Sequence, residues 1–323
     1  MFRRKPREQP LRLFYAGDVH GSRLCWKKFV NAAAHYPADA LVMGGDLTGK
    51  ALVPIVRRAD GSHVAEVIGE RREAHGEEEL EQLRTAISTN GMYPVLVDEG
   101  EAERLRTDPS HREQVFEAAL LDELRLWVEI ADERLSDSGV RAYVIPGNDD
   151  PWSIDPVLAS GAAVDACDEQ LRMLGPHEMI SFGYSNQTPW QTPRELDEGQ
   201  IYDRLRALSD QLESPGTAIF NIHVPPRDSS LDTAFEVDEE LRYVTKGGRP
   251  HEVPTGSSAV RQIIEEAQPL LSLHGHIHES KGVTRIGRTV AINPGSDYGS
   301  GHLDGCLVHL ARDRVINQYL VSG

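Results

Sequence analysis

Leu11-Arg12-Leu13-Phe14-Tyr15-Ala16-Gly17-Asp18-Val19-His20-Gly21 is a short apolar run that ends, through a glycine, on a carboxylate and an imidazole. Leu11–Ala16 has strand character, and the glycines let the chain turn sharply on either side of Asp18-Val19-His20. The same arrangement returns four more times. Residues 40–43 lead into Gly44-Gly45-Asp46, and 141–145 into Pro146-Gly147-Asn148-Asp149-Asp150. Residues 217–222 end at His223, and 270–273 run towards Gly275-His276-Ile277-His278. Five apolar strands therefore each deliver polar, metal-competent side chains at their carboxyl ends, the rim on which open α/β sheets bind ligands. Residues 289–292 add a further strand, and 306–310 with 315–320, joined by the polar turn 311–314, read as a closing hairpin. Strands alternating with helical segments define an α/β protein.

The donor set is specific. Carboxylate and amide oxygens suit Mg²⁺ and Mn²⁺, and imidazole suits Zn²⁺, Fe, Ni²⁺ and Mn²⁺. No cysteine stands in any of the five motifs, which argues against a structural zinc site. In an extended segment the two side chains of Asp18-x-His20, and of His276-x-His278, would share a face. A lone D-x-H or G-G-D is usually a turn or a cap. The ordered set of five, each after an apolar strand, is not.

That order resembles the calcineurin-like metallophosphoesterase superfamily, from about residue 11 onward with an interruption at 51–136. The stretch Ala291-Ile292-Asn293-Pro294-Gly295-Ser296 resembles its bacterial and archaeal phosphodiesterase branch. The resemblance implies a four-layer α/β/β/α sandwich of two facing mixed sheets, with an inserted cap segment. It also implies two divalent metal ions, manganese first, with Fe, Zn²⁺, Ni²⁺ or Mg²⁺ as alternatives. Asp18, His20 and His278 would hold one ion, Asn148, His223 and His276 the other, and Asp46 would bridge them. A metal-bound hydroxide would attack phosphorus in line. Asp46, Asn148, Asp149 and His223 are the expected catalytic residues. Many relatives of that kind carry a histidine where this chain has Asp149, and a carboxylate there repels a dianionic phosphate. A small phosphodiester, such as a cyclic nucleotide or nucleotide derivative, is therefore the expected substrate. A nuclease and a non-catalytic scaffold are the alternatives, and a protein phosphatase is disfavoured. Asp150 is expected to orient a metal ligand.

Composition bounds the remainder. The chain has 323 residues, 39% hydrophobic and 26% charged, which fits one elaborated domain spanning 1–323. Its net charge of −17 gains nothing from counterion release on DNA or RNA, so extended nucleic-acid binding is disfavoured. No apolar stretch is long enough to span a bilayer. Arg3-Arg4-Lys5 lacks a following apolar region and reads as a frayed basic tail. Three scattered cysteines, Cys25, Cys167 and Cys306, fit a reducing cytoplasm.

Within 51–136, two β-type runs flank Asp60-Gly61-Ser62 as a hairpin expected to cap the site, and Glu77 to Gln82 opens a helix. A longer helix is expected from Ser110, capped by Ser110 and Glu113. Its stripe is Val115, Ala118, Leu121, Leu124, Val128, Ala131 and Leu135, and its second apolar side would suit either the core or a second copy of the chain. His35, His63, His75, His111 and His177 read as surface residues, His274 as a core residue, and Thr48 as a turn residue. His251, and the Gly-rich loop Asp297–Gly301 before His302, are within reach of the site.

Overall fold

The computed structural model describes residues 9–238 and 240–323; Arg3-Arg4-Lys5 lies outside the described residues. Two six-stranded sheets form its centre. The first runs in the order 314–322, 304–311, 11–16, 40–43, 142–144, 164–166, and the second in the order 282–286, 289–293, 271–273, 219–222, 177–182, 171–174. Each has four mutually parallel strands. Antiparallel strands complete each sheet, so both are mixed.

Among the described residues seven α-helices accompany them: α1 (Arg23–His35), α2 (Gly76–Thr89), α3 (Glu99–Thr107), α4 (Pro109–Leu135), α5 (Asp155–Leu158), α6 (Glu198–Ser209) and α7 (Ser258–Ala267). Strand alternation decides the layering. Leu13 and Tyr15 face the second sheet, where they pack with Met179, Ile219, Leu271 and Ile292. Phe14 and Ala16, on the opposite face, pack under α1 and α4. In the second sheet, Ile180, Phe182, Phe220 and Ile222 turn outward onto Ile201 and Leu205 of α6 and Ile263 of α7. The result is the helix–sheet–sheet–helix sandwich that the motif order implies.

Several local expectations change. The long helix starts at Pro109, not Ser110. Asp108 is its N-cap, accepting from His111 N at 3.0 Å, because proline is well placed in a first turn and a short carboxylate just before it caps well. Ala118 is exposed; the buried stripe is Leu120, Leu124, Trp127, Val128, Ala131 and Leu135. Trp127 stacks on Trp26 of α1 with ring centres 5.1 Å apart. The closing hairpin turns over Arg312-Asp313 alone, since its strands extend to Ala311 and Arg314.

The hairpin around Asp60-Gly61-Ser62 forms from Ala51–Arg57 and His63–Val67. It belongs to a separate four-stranded sheet, completed by Glu70–Ala74 and Met92–Val97. That sheet has its own core of Val53, Ile55, Leu80, Leu83 and Ile87, with α2 on one face. Among the described residues no helix is long and apolar enough to cross a membrane.

Candidate metal centre

The turns that follow the parallel strands are laced to one another by backbone hydrogen bonds. Asp18 N donates to Gly45 O at 2.9 Å, His20 N to Asp46 O at 2.9 Å, and Gly21 N to Leu47 O at 2.7 Å. The second sheet joins through Gly275 N to His223 O at 2.9 Å and through His276 N, which donates to the Asp18 carboxylate at 2.9 Å. Asp150 is wholly buried and accepts from Leu47 N (3.0 Å), Thr48 N (2.8 Å), the Thr48 hydroxyl (2.7 Å) and Gly147 N (2.8 Å). It bonds no imidazole directly, and acts on the expected ligands through the backbone, which it pins just after Asp46 and just before Asn148. Burial, with the charge of Asp46, pushes its pKa up to about 6 despite these donors.

Four of the candidate ligands have left-handed backbone: Asp18 (φ 55°), His20 (φ 38°), Asp46 (φ 51°) and His276 (φ 67°). Such strain costs about 1–3 kcal/mol per residue and gathers where side chains must converge. Two glycines permit the closeness. A Cβ on Gly147 would lie 2.1 Å from Asp46 Oδ1, and one on Gly275 would lie 2.3 Å from Asp18 Oδ2.

All seven expected ligands meet at this place. Asp18, His20 and His278 form one group that could hold a metal ion, and Asp46, His223 and His276 form another. Asp46 faces both, with Oδ2 3.7 Å from His20 Nε2 and Oδ1 3.5 Å from His223 Nε2. Asn148 joins the second group, its Oδ1 2.9 Å from His223 Nε2. Asp149 forms a third grouping with His20 and Asp46.

The arrangement of the donor atoms suits cations. His223 Nδ1–H donates to the Gly44 carbonyl at 2.7 Å, and the Asn148 amide NH₂ donates to Thr192 Oγ1 at 2.8 Å. With those hydrogens committed, a neutral His223 points a lone pair at the Asn148 carbonyl oxygen, acceptor against acceptor. In the other group, the Nε2 atoms of His20 and His278 stand 3.1 Å apart. A cation or a proton at His223 Nε2 would remove the first conflict, one ring can donate to the other in the second, and the carbonyl holding His223 Nδ1 leaves Nε2 as the free atom.

The balance of protons gives the same picture. Burial opposes a charged His223 ring, yet Asp46 and Asp18 outweigh it and push its pKa up to about 10. Burial and the charge of His223 push His276 down to about 4. Asp46 is desolvated, but the surrounding imidazoles hold it well below the usual carboxylate range. The buried carboxylates of the pocket thus favour positive charge beside them.

His274 is buried as expected, between Ser272 Oγ (2.8 Å) and the Ile222 carbonyl (2.9 Å). Thr48 serves the turn. His177, read as a surface residue, is fully buried at a strand start, where Nδ1–H donates to the Thr217 carbonyl at 2.8 Å. His251 pairs with Glu236 in the 226–256 loop, outside the metal-type groups. His302 is exposed and bonded to Asp297.

Three features add contacts to the site. The Tyr298 ring sits 4.8 Å from that of His20. Lys50 forms an ion pair with Asp149. Asn293 donates to the carbonyls of Ile277 (2.9 Å) and Gly275 (3.4 Å), while Ser296 Oγ donates to Asp18 O at 2.6 Å, so the Asn293-Pro294-Gly295-Ser296 turn clamps both metal-type turns. The last was signalled by its motif and Tyr298 by its Gly-rich loop, whereas Lys50 had no sequence signal.

The fold and site together define a two-sheet α/β sandwich with a buried His/Asp cluster at its strand ends. No family model matches the chain. An uncharacterized protein of Methanocaldococcus jannaschii, MJ1162, is 29% identical over 153 residues, covering 46% of this chain and 62% of that protein. The crystal structure of TT1561 of Thermus thermophilus is similar over 97% of this chain and 98% of its own, with a TM-score of 0.54 at 16% identity. A further crystal structure matches over 96% of this chain and 99% of its own, with a TM-score of 0.55 at 17% identity. At these identities the likeness is one of fold.

Proposed function

We propose that the protein is a metal-dependent phosphoesterase acting on a small phosphodiester. The carrying observation is Asp46, whose two carboxylate oxygens face two separate groups of ligand-competent side chains. Asp18, His20 and His278 would hold one divalent ion, Asn148, His223 and His276 the other, with Asp46 between them. Such a pair of ions acidifies water and neutralises developing charge on a phosphoryl group. The chain's own contribution is to fix these donors before substrate arrives, through Asp150, Asn293 and the strained turns.

The rim supports the diester reading. Asp149 stands next to Asn148 in place of a cationic or neutral ring, and its charge is balanced by Lys50. The rim pair is thus close to neutral, which favours a monoanionic diester over a dianionic monoester. The insertion is proposed to set selectivity. Gly49 at its entry and Gly91 within it lie against the His20 turn, where a Cβ on Gly91 would come 2.1 Å from His20 O. The hairpin 51–67 makes no hydrogen bond to the seven ligand residues among the described residues. The net charge of −17 opposes a nuclease role.

The test is hydrolysis of bis-p-nitrophenyl phosphate by metal-stripped protein re-supplied with Mn²⁺. Turnover should return with metal and fall at least ~100-fold in Asp46→Asn. Equal activity of that variant would remove Asp46 from the mechanism, and a strong preference for p-nitrophenyl phosphate would make the enzyme a monoesterase.

A further inference from the structure

The four-stranded sheet of the insertion has two faces with different fates. Val53 and Ile55 point into its core with α2. Leu52, Pro54 and Val56, the alternate residues of the same strand, point the other way, towards Ala102 and Leu105 of α3. Between them lies a cavity of about 500 Å³. None of its lining residues belongs to the metal-type cluster.

Its rim is basic in a chain of net charge −17. Arg58, Arg71, Arg106 and Arg112 surround the apolar floor, with Glu66 the one carboxylate in the lining. Arg58 is paired with Glu99, and Arg106 with Glu103. Arg71 and Arg112 form no ion pair among the described residues, and they come from different elements, a strand and α4. Both are exposed, with Glu66 the cross-strand neighbour of Arg71, and the guanidinium fork suits carboxylate, phosphate or sulfonate oxygens.

We infer that this cavity is a second ligand site, taking a small organic anion whose apolar body lies on Leu52, Pro54 and Val56 and whose acidic group meets Arg71 and Arg112. Its volume falls in the range of small-molecule pockets, which run from about 300 to 1,000 Å³. Apolar floor and charged rim together select an amphipathic anion over inorganic phosphate. The overall negative charge disfavours an extended nucleic acid. The cavity lies on the strand that follows Lys50 and the Asp46 turn, so an occupant would bear on the insertion next to the metal-type site without entering it.

The probe is 8-anilinonaphthalene-1-sulfonate, an aromatic sulfonate that a phosphoesterase cannot hydrolyse, titrated by fluorescence against the full chain. One-to-one binding is expected, displaced by octyl sulfate and not by equimolar inorganic phosphate. Arg71→Ala/Arg112→Ala should weaken it at least ~10-fold with an unchanged melting curve, while Arg71→Lys/Arg112→Lys should retain most of it. Asp46→Asn should bind the probe like the parent, so this site stands or falls separately from the phosphoesterase reading. Unchanged affinity in the double alanine variant would overturn the assignment. So would absence of binding, which together with a dimer in sedimentation would mean that a second copy covers the face.

Discussion

Lys50 stands four residues beyond Asp46, where the chain leaves the first sheet for the insertion, and its ammonium meets the Asp149 carboxylate at the rim of the metal-type cluster. Removing the cation leaves that carboxylate facing any phosphate that approaches. In Lys50→Met, KM for bis-p-nitrophenyl phosphate should rise by about tenfold, with bound Mn²⁺ unchanged, an effect of about 1.4 kcal/mol. Measured metal content separates this role from a structural one, and an unaltered KM would refute it. At this scale much of the site was legible. Asp18, His20, Asp46, Asn148, His223, His276 and His278 each follow an apolar strand, most at a glycine-bearing turn, a pattern that needs no tertiary knowledge. Lys50 and Tyr298 have no such signature, because they reach the site only through the way the insertion root and the 297–301 loop fold back. His177 deceived for the opposite reason: its polar neighbours suggest surface, yet the strand it opens is buried between others.

At the scale of elements, α4 couples the helical layer to the first sheet. Trp127 stacks on Trp26, accepts that ring's N–H at its carbonyl (2.8 Å) and donates its own to Glu123 (2.8 Å), which also pairs with Arg23. Trp127→Ala empties an indole-sized space in packed surroundings and takes a hydrogen-bond donor from a buried carboxylate. It should cost about 3–5 kcal/mol, read as a lower midpoint in urea with an unchanged slope. A loss below ~1 kcal/mol would mean that α4 contributes little to the core. The helix was visible from its period, though its start was misplaced, since Ser110 and Glu113 mimic a capping box while Asp108 before Pro109 is the actual N-cap. Strands Leu171–Leu174 and His177–Phe182 went unread. They carry Arg172, His177 and Glu178, and their burial is decided by neighbours from distant parts of the chain.

For the whole molecule, the proposed metal cluster should act as a stability element as well as a site. It joins turns from both sheets, and four of its residues hold left-handed backbone. A divalent ion at 100 times its Kd should stabilise the fold by about 2.7 kcal/mol. The melting temperature in Mn²⁺ should therefore exceed that in EDTA by about 4 °C. An identical melt in both would mean that the cluster holds no metal.

The first sheet carries a consequence for how the protein is made. Its strand 11–16 is inserted between 40–43 on one side and 304–311 on the other, with Leu13 opposite Val308 and Tyr15 opposite Cys306. One neighbour is synthesised almost at once, the other nearly three hundred residues later. Until the ribosome has released that hairpin, an apolar strand at the heart of the sheet presents an open edge, the kind of surface on which nascent chains stick to one another. The first sheet therefore closes late in synthesis, and a chain cut short before residue 304 should be recovered in inclusion bodies, not in solution.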